Sequence, residues 1–225
     1  MTDTELEPAV RRTAAPKRRA GTTLMASSIV YLTAELIAAA AWSDPPYSYT
    51  HHFISNLGVH GPTTAFGQFM YSPLWWVMNT GFFLFGLVSL TAVLQLGALP
   101  GRRRAPLVIT AVVLAAGGVL LAFFPGSGDT TDGATDLHGI GAFMAFAGGN
   151  VLVVLLGRRR EALGLSRRLG RGLVAAGVLG FVSLAGYMTV LSIGAGVLIG
   201  LVERGVVYPF LIGFLVVGAA LRRGV

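Results

Sequence analysis

Six apolar runs of roughly 20 residues, separated by short polar segments, constrain this chain more than any other feature in it. A run of that length crosses the hydrocarbon core of a bilayer. Lipid offers no hydrogen bonds to a free backbone, so each run must fold as a helix. The runs extend from about Thr22 to Trp42, Leu74 to Leu96, Pro106 to Phe124, Leu137 to Leu156, Gly172 to Ser192 and Gly205 to Leu221. Only 12% of the residues are charged, against about 25% in soluble domains, so the polar groups are too few to coat a water-facing globule. The predicted fold class is all-α, a polytopic bundle of six transmembrane helices over residues 21–225. Residues 1–20, basic and without periodicity, are predicted to be a disordered cytoplasmic tail.

The net charge of +7 raises the question of a nucleic-acid partner. The basic residues sit instead in blocks between the apolar runs, where they set orientation, and no nucleic acid is expected. Sixteen of the 17 Lys and Arg fall in the N-terminal tail, the second-to-third connection, the fourth-to-fifth connection and the C-terminus. In a six-span chain these four segments share one face. The positive-inside rule makes that face the cytoplasm. The expected location is the inner (plasma) membrane, multi-pass, with both termini cytoplasmic. The chain has no cysteine, which excludes disulfides and thiolate ligands.

The outer face receives residues 43–73, 125–136 and about 193–204, and nearly all the unusual polar residues lie there. The first connection contains "YTHHFISNLGVHG", with His51, His52, His60, Ser55 and Asn56, and the stretch 56–71 is predicted to hold a short interfacial helix. The second carries Asp129, Asp132, Asp136 and His138, with Thr135 or Asp136 as the N-cap of the fourth span. Glu35 is the one acid well inside a span, roughly 10 Å below its outer end at 1.5 Å per residue. Asn79 lies at a similar depth in the second span. Arg204 breaks the charge rule, which points to an ion pair with Glu35 or Glu203, or to an anionic head group. Gly139, Gly141, Ala142 and Ala145 permit close helix approach, and Asn150 is expected to bond a neighbouring helix. Pro209 is the clear interior break.

The outer histidines match no zinc spacing and no helical HxxxH, so no metal is expected. There is no nucleophile elbow, phosphate loop or dinucleotide fingerprint, and no cofactor is expected.

The elements "HHFISNLG", "MNTGFFLFG", "FPGSGDTTDGATDLHGIGAF" and "GLVERGVVYP" resemble a bacterial and archaeal membrane family known as domain of unknown function 998. The resemblance covers about residues 22–221. It implies a six-span fold and carries over Ser55, Asn56, Leu57, Gly58, Asn79, His138, Gly200, Glu203 and Arg204 as pattern residues. Many relatives have Asp where this chain has Asn56, which weakens any mechanism needing a carboxylate there. The resemblance implies no activity.

The pattern residues fall at the outer ends of the spans. The leading expectation is a polar site that binds or processes a lipid or isoprenoid. His138, Ser55 and Glu35 are the candidate catalytic residues, with the histidine as acid–base. Arg204, Glu203, Asn56, Asn79 and His52 are the candidate ligand-binding residues, with the arginine at an anionic head. Membrane lipids are the expected partners. A small-solute transporter or permease is the alternative, although broken helix pairs at midplane are lacking. So is a non-catalytic scaffold or accessory subunit.

Overall fold

A computed structural model describes residues 3–65, 67–97, 101–126, 136–194 and 198–223. Seven helices run in the order α1 (Asp3–Ala41), α2 (Trp75–Gln95), α3 (Gly101–Phe123), α4 (Leu137–Arg158), the short α5 (Arg160–Leu163), α6 (Arg167–Ser192) and α7 (Ile199–Arg223). Six of them are long and apolar enough to cross a membrane; in α1 that stretch is Pro16–Ala41. The six-span reading therefore stands.

Helices α1, α3, α6 and α7 begin ahead of their expected starts, and the last of these shifts bears on the site. The last helix begins at Ile199 rather than Gly205, so Glu203 and Arg204 sit on its second turn instead of in a connecting loop. Pro209 does not end it. A proline forfeits one backbone hydrogen bond and crowds the preceding turn, but Phe210, Leu211 and Phe214 are fully packed around it, and that packing holds the helix together.

The helices close into a ring in the order α1, α2, α3, α4, α6, α7 and back to α1, with α4 also touching α7. Small residues make this closeness possible. A Cβ on Gly117 of α3 would lie 2.6 Å from Ala145 N and 2.7 Å from Gly141 O of α4. Polar side chains tie the ring at separate levels. Ser28 Oγ donates to Leu211 O at 3.0 Å, and Asn150 Nδ2 donates to Val206 O at 3.0 Å, the inter-helix bond expected of that residue. Outward faces are apolar: on α1 Ile29, Leu36 and Ile37 are exposed while Ala34, Glu35 and Ala38 are buried. With no hydrophobic contrast between lipid and core, this face of α1 puts small and polar residues inside, where they allow close approach, and leaves large aliphatics to the outside.

Asp136 caps α4 through Oδ1, which accepts from Gly139 N at 2.8 Å. Asp129 and Asp132 lie outside the described residues. Among its described residues the 43–73 connection holds no α-helix, so the interfacial helix expected over 56–71 is not found. It makes a single 3-10 turn, Ser55–Gly58, and then an antiparallel hairpin, β1 (Thr63–Ala65) with β2 (Gln68–Met70), pairing Thr63 with Met70. Gly67, at φ +72°, supplies the reversal within "TTAFGQFM", a backbone conformation that a helical turn would not need.

Candidate functional site

The loop 47–58 lies over the ends of α1, α2 and α7, and α7 holds it there through two side chains and through Leu201 N, which donates to Thr50 O at 3.2 Å. Arg204 Nη1 donates to the carbonyls of Tyr49 at 2.7 Å, Gly200 at 3.0 Å and His52 at 3.3 Å. Its Nη2 donates to Tyr47 Oη at 2.7 Å and to Glu35 Oε1 at 2.8 Å, and Nε donates to the same carboxylate oxygen at 3.1 Å. Six contacts to five acceptor atoms thus engage the five N–H groups of the guanidinium. One residue earlier, Glu203 Oε2 accepts from Ile54 N. The loop backbone is gripped through its carbonyls by a cation and through an N–H by a carboxylate.

Gly200 explains how the loop gets so close. A Cβ there would stand 2.2 Å from His52 O and 2.9 Å from Tyr49 O. The spacing of "GLVER" is therefore mechanical: Gly200 clears the space, and Arg204, one turn later on the same face, fills the acceptors left in it. Gly58 plays the same part on the other side. A Cβ there would be 2.2 Å from Asn79 Oδ1, while Asn79 Nδ2 donates to Gly58 O at 3.0 Å.

The ion pair is deeply enclosed, with side-chain exposures of 5% for Arg204 and 2% for Glu35. A charge inside a span costs about 2.5–3.5 kcal/mol on insertion scales, and pairing offsets it. The partner of Arg204 is thus Glu35, not Glu203. Tyr208, one turn beyond Arg204, donates to Glu35 Oε1 at 3.0 Å. The guanidinium carbon stands 4.7 Å from the Tyr49 ring centroid and 5.6 Å from that of Tyr47, within cation–π range. Tyr47 Oη passes its own proton to Phe53 O at 3.0 Å. Burial raises the Tyr47 phenol well above its ordinary value, against the pull of the Arg204 charge, so Tyr47 acts as a neutral donor and acceptor.

His52 stacks on Trp42 with ring centroids 5.2 Å apart, and its Nδ1 accepts from Ser48 N at 2.9 Å. Burial first, then the neighbouring His51 and Arg204, pushes the imidazole below its ordinary value. An accepting Nδ1 requires the neutral ring. Asn56 Nδ2 donates to Gln68 Oε1 at 2.7 Å, and Gln68 Nε2 reaches His51 O, so the hairpin is stitched to the loop.

Beneath this lid lies a narrow crevice with about 430 Å³ of empty space, its open mouth included. Its walls come from α1 (Tyr31), α2 (Phe82, Phe85), α3 (Gly118, Leu121), α4 (Ala142, Ala145, Phe146), α7 (Glu203, Val207, Phe210) and the loop (Ile54, Ser55). The polar side-chain groups on it are those of Tyr31, Ser55 and Glu203.

The residues singled out in the sequence divide into three groups. Glu35, Arg204, Glu203 and His52 meet in the loop clamp. Asn56 and Asn79 shape the loop from its far side. His138 belongs to neither the clamp nor the crevice wall: its Nδ1 is 2.9 Å from Phe124 O, and Gly126 packs against the ring. Of the three residues read as catalytic, only Ser55 lines the crevice. Glu35 is committed to its ion pair, and Arg204 has no donor left for an anionic head group. Among the described residues no three His, Asp or Glu side chains gather as a metal site would require. Tyr47, Tyr49, Tyr208 and the aromatic crevice wall escaped the sequence reading. The one available signal was the four-residue step from Arg204 to Tyr208, which places both on one helix face.

A ring of six membrane-length helices, with a loop locked to one mouth by a buried Glu–Arg pair, defines a class: a polytopic helical membrane protein with a crevice between its spans. The chain belongs to the family described as protein of unknown function (DUF998), whose model matches residues 25–220. No curated protein and no solved structure matches the chain.

Proposed function

We propose that this protein holds the apolar chain of a lipid or isoprenoid in the crevice, with the polar end of the ligand level with Ser55 and Glu203. One observation carries the reading: the crevice wall is aliphatic and aromatic throughout, except for a few polar groups at the loop end. Such a lining suits an acyl or prenyl chain better than a hydrated solute. The Glu35–Arg204 pair then serves as the frame that fixes the lid, not as the ligand contact. The fully satisfied guanidinium also favours a second reading, a non-catalytic scaffold in which the same polar groups lock the helices.

Lipid co-purification separates the two. Ala142→Phe fills the crevice wall from a half-buried position without touching the clamp. Mass spectrometry of protein purified in mild detergent should show one lipid species enriched over bulk membrane in the wild type and depleted several-fold in the variant. Equal lipid content in both folded proteins would leave the scaffold.

The same reading places the basic end of the bundle in the cytoplasm of a plasma-membrane protein and the lid outside. Lys17 Nζ bonds Ala162 O, in the connection that also carries Arg158–Arg160, a contact between two of the basic segments that supports this orientation. Since the chain has no cysteine, single cysteines at Thr63 and Gly101 can be labelled in intact cells with an impermeant maleimide. Position 63 should label and position 101 should not. The reverse pattern would invert the topology.

A further inference from the structure

Resting on the lipid-binding reading, we infer that the occupant of the crevice carries a cationic amine head, recognised by Glu203. The argument begins with hydrogen bonds. Glu203 is 4% exposed and lines the crevice. Its Oε2 is fixed by Ile54 N, whereas Oε1 receives no hydrogen bond from any described residue. Arg204 is adjacent in sequence, yet every one of its donors is directed elsewhere, at Glu35, Tyr47 and three carbonyls. The Ser55 hydroxyl, on the same wall, also has no hydrogen-bond partner among the described residues.

Charge gives the same answer independently. Two carboxyl groups, Glu35 and Glu203, share this enclosed end with one guanidinium, and the nearby His52 is neutral. A buried carboxylate without a countercharge is strongly disfavoured. An ammonium supplies both things missing at Glu203, a positive charge and donors for Oε1, and has a further N–H to offer Ser55, which lines the same crevice. An alcohol supplies the donor but not the charge. A phosphate head would meet a carboxylate with no free cation beside it. The tail then runs between Phe82, Leu121 and Phe146 towards Phe210.

Dodecylamine, N-dodecylacetamide, dodecanol and dodecyl phosphate have one chain length and differ at the head. Each is titrated into the purified full-length protein in a mild non-ionic detergent, and binding is read from the saturable rise in unfolding midpoint. Dodecylamine should bind about tenfold or more tightly than the amide and the alcohol, the advantage of a charge-assisted hydrogen bond, and the phosphate least. Glu203→Gln should bring amine and alcohol to parity, while Ser55→Ala should keep the amine preferred. The amine–amide comparison needs no variant, so it stands even where Glu203→Gln fails to fold. Equal binding of amine, amide and alcohol, abolished by Ala142→Phe, would overturn the amine head and leave the lipid site intact. No saturable shift with any of the four would overturn both.

Discussion

Arg204→Met should be the most destabilising single substitution in the chain, costing about 3–5 kcal/mol, the range for stripping one partner from a buried ion pair. Three losses coincide. Glu35 is left ionised and enclosed, with one oxygen, Oε2, already unpartnered among the described residues. The carbonyls of Tyr49, His52 and Gly200 lose their donor. Tyr47 loses the proton that fixed its orientation. Glu35→Leu should cost less, because Arg204 keeps the carbonyls and the tyrosine. The double variant should cost less than the sum of the singles, since it no longer strands a charge. Unfolding in detergent of the wild type, both singles and the double measures the coupling. Strict additivity would mean that the two charges do not stabilise one another.

Gly200→Ala comes next. It adds one methyl group where the loop backbone approaches to 2.2 Å of the new atom, and that neighbour is a carbonyl with no freedom to turn aside. The loop must lift, and both Arg204 contacts beneath it lengthen. Overpacking of this kind costs about 1–3 kcal/mol, here in spite of the roughly 1 kcal/mol by which alanine ordinarily betters glycine in a helix. Gly186→Ala in α6 is the control: its added Cβ meets nothing nearer than 3.8 Å, so it should be neutral or stabilising. If the two variants melt alike, close approach of the loop is not what position 200 requires.

The spans were readable because hydropathy acts over whole segments, and the basic blocks between them set the expectation for their sides. The Glu35–Arg204 pair was readable because each residue is an exception: the one acid deep in a span and the one arginine outside the basic blocks. The start of α7 was misread for that same reason. A helix opening on "GLVER" looks too polar for a membrane turn until the loop is present to satisfy it. Tyr47 and Tyr49 were invisible because tyrosines near a membrane surface are ordinary; only the folded loop shows them against a guanidinium. His138 was legible as a polar residue, but its neighbours were not. A histidine opening a span stands out in one dimension; in three it secures the turn after α3.

The order of the ring has a consequence for biosynthesis. Helix α1 packs against α7, the first span made against the last, and Glu35 lies 169 residues ahead of Arg204. At about 5–20 residues per second, the acid waits roughly 8–34 s in the translocon or the bilayer before its counter-ion is even synthesised. Throughout that interval Glu35 is an unpaired acid in a membrane segment, and loop 47–58 has nothing to grip. A chain stopped before α7 therefore advertises its incompleteness, through an uncompensated carboxyl and a loose outer loop, to any protease that polices the membrane. Arrival of the seventh helix silences both signals at once.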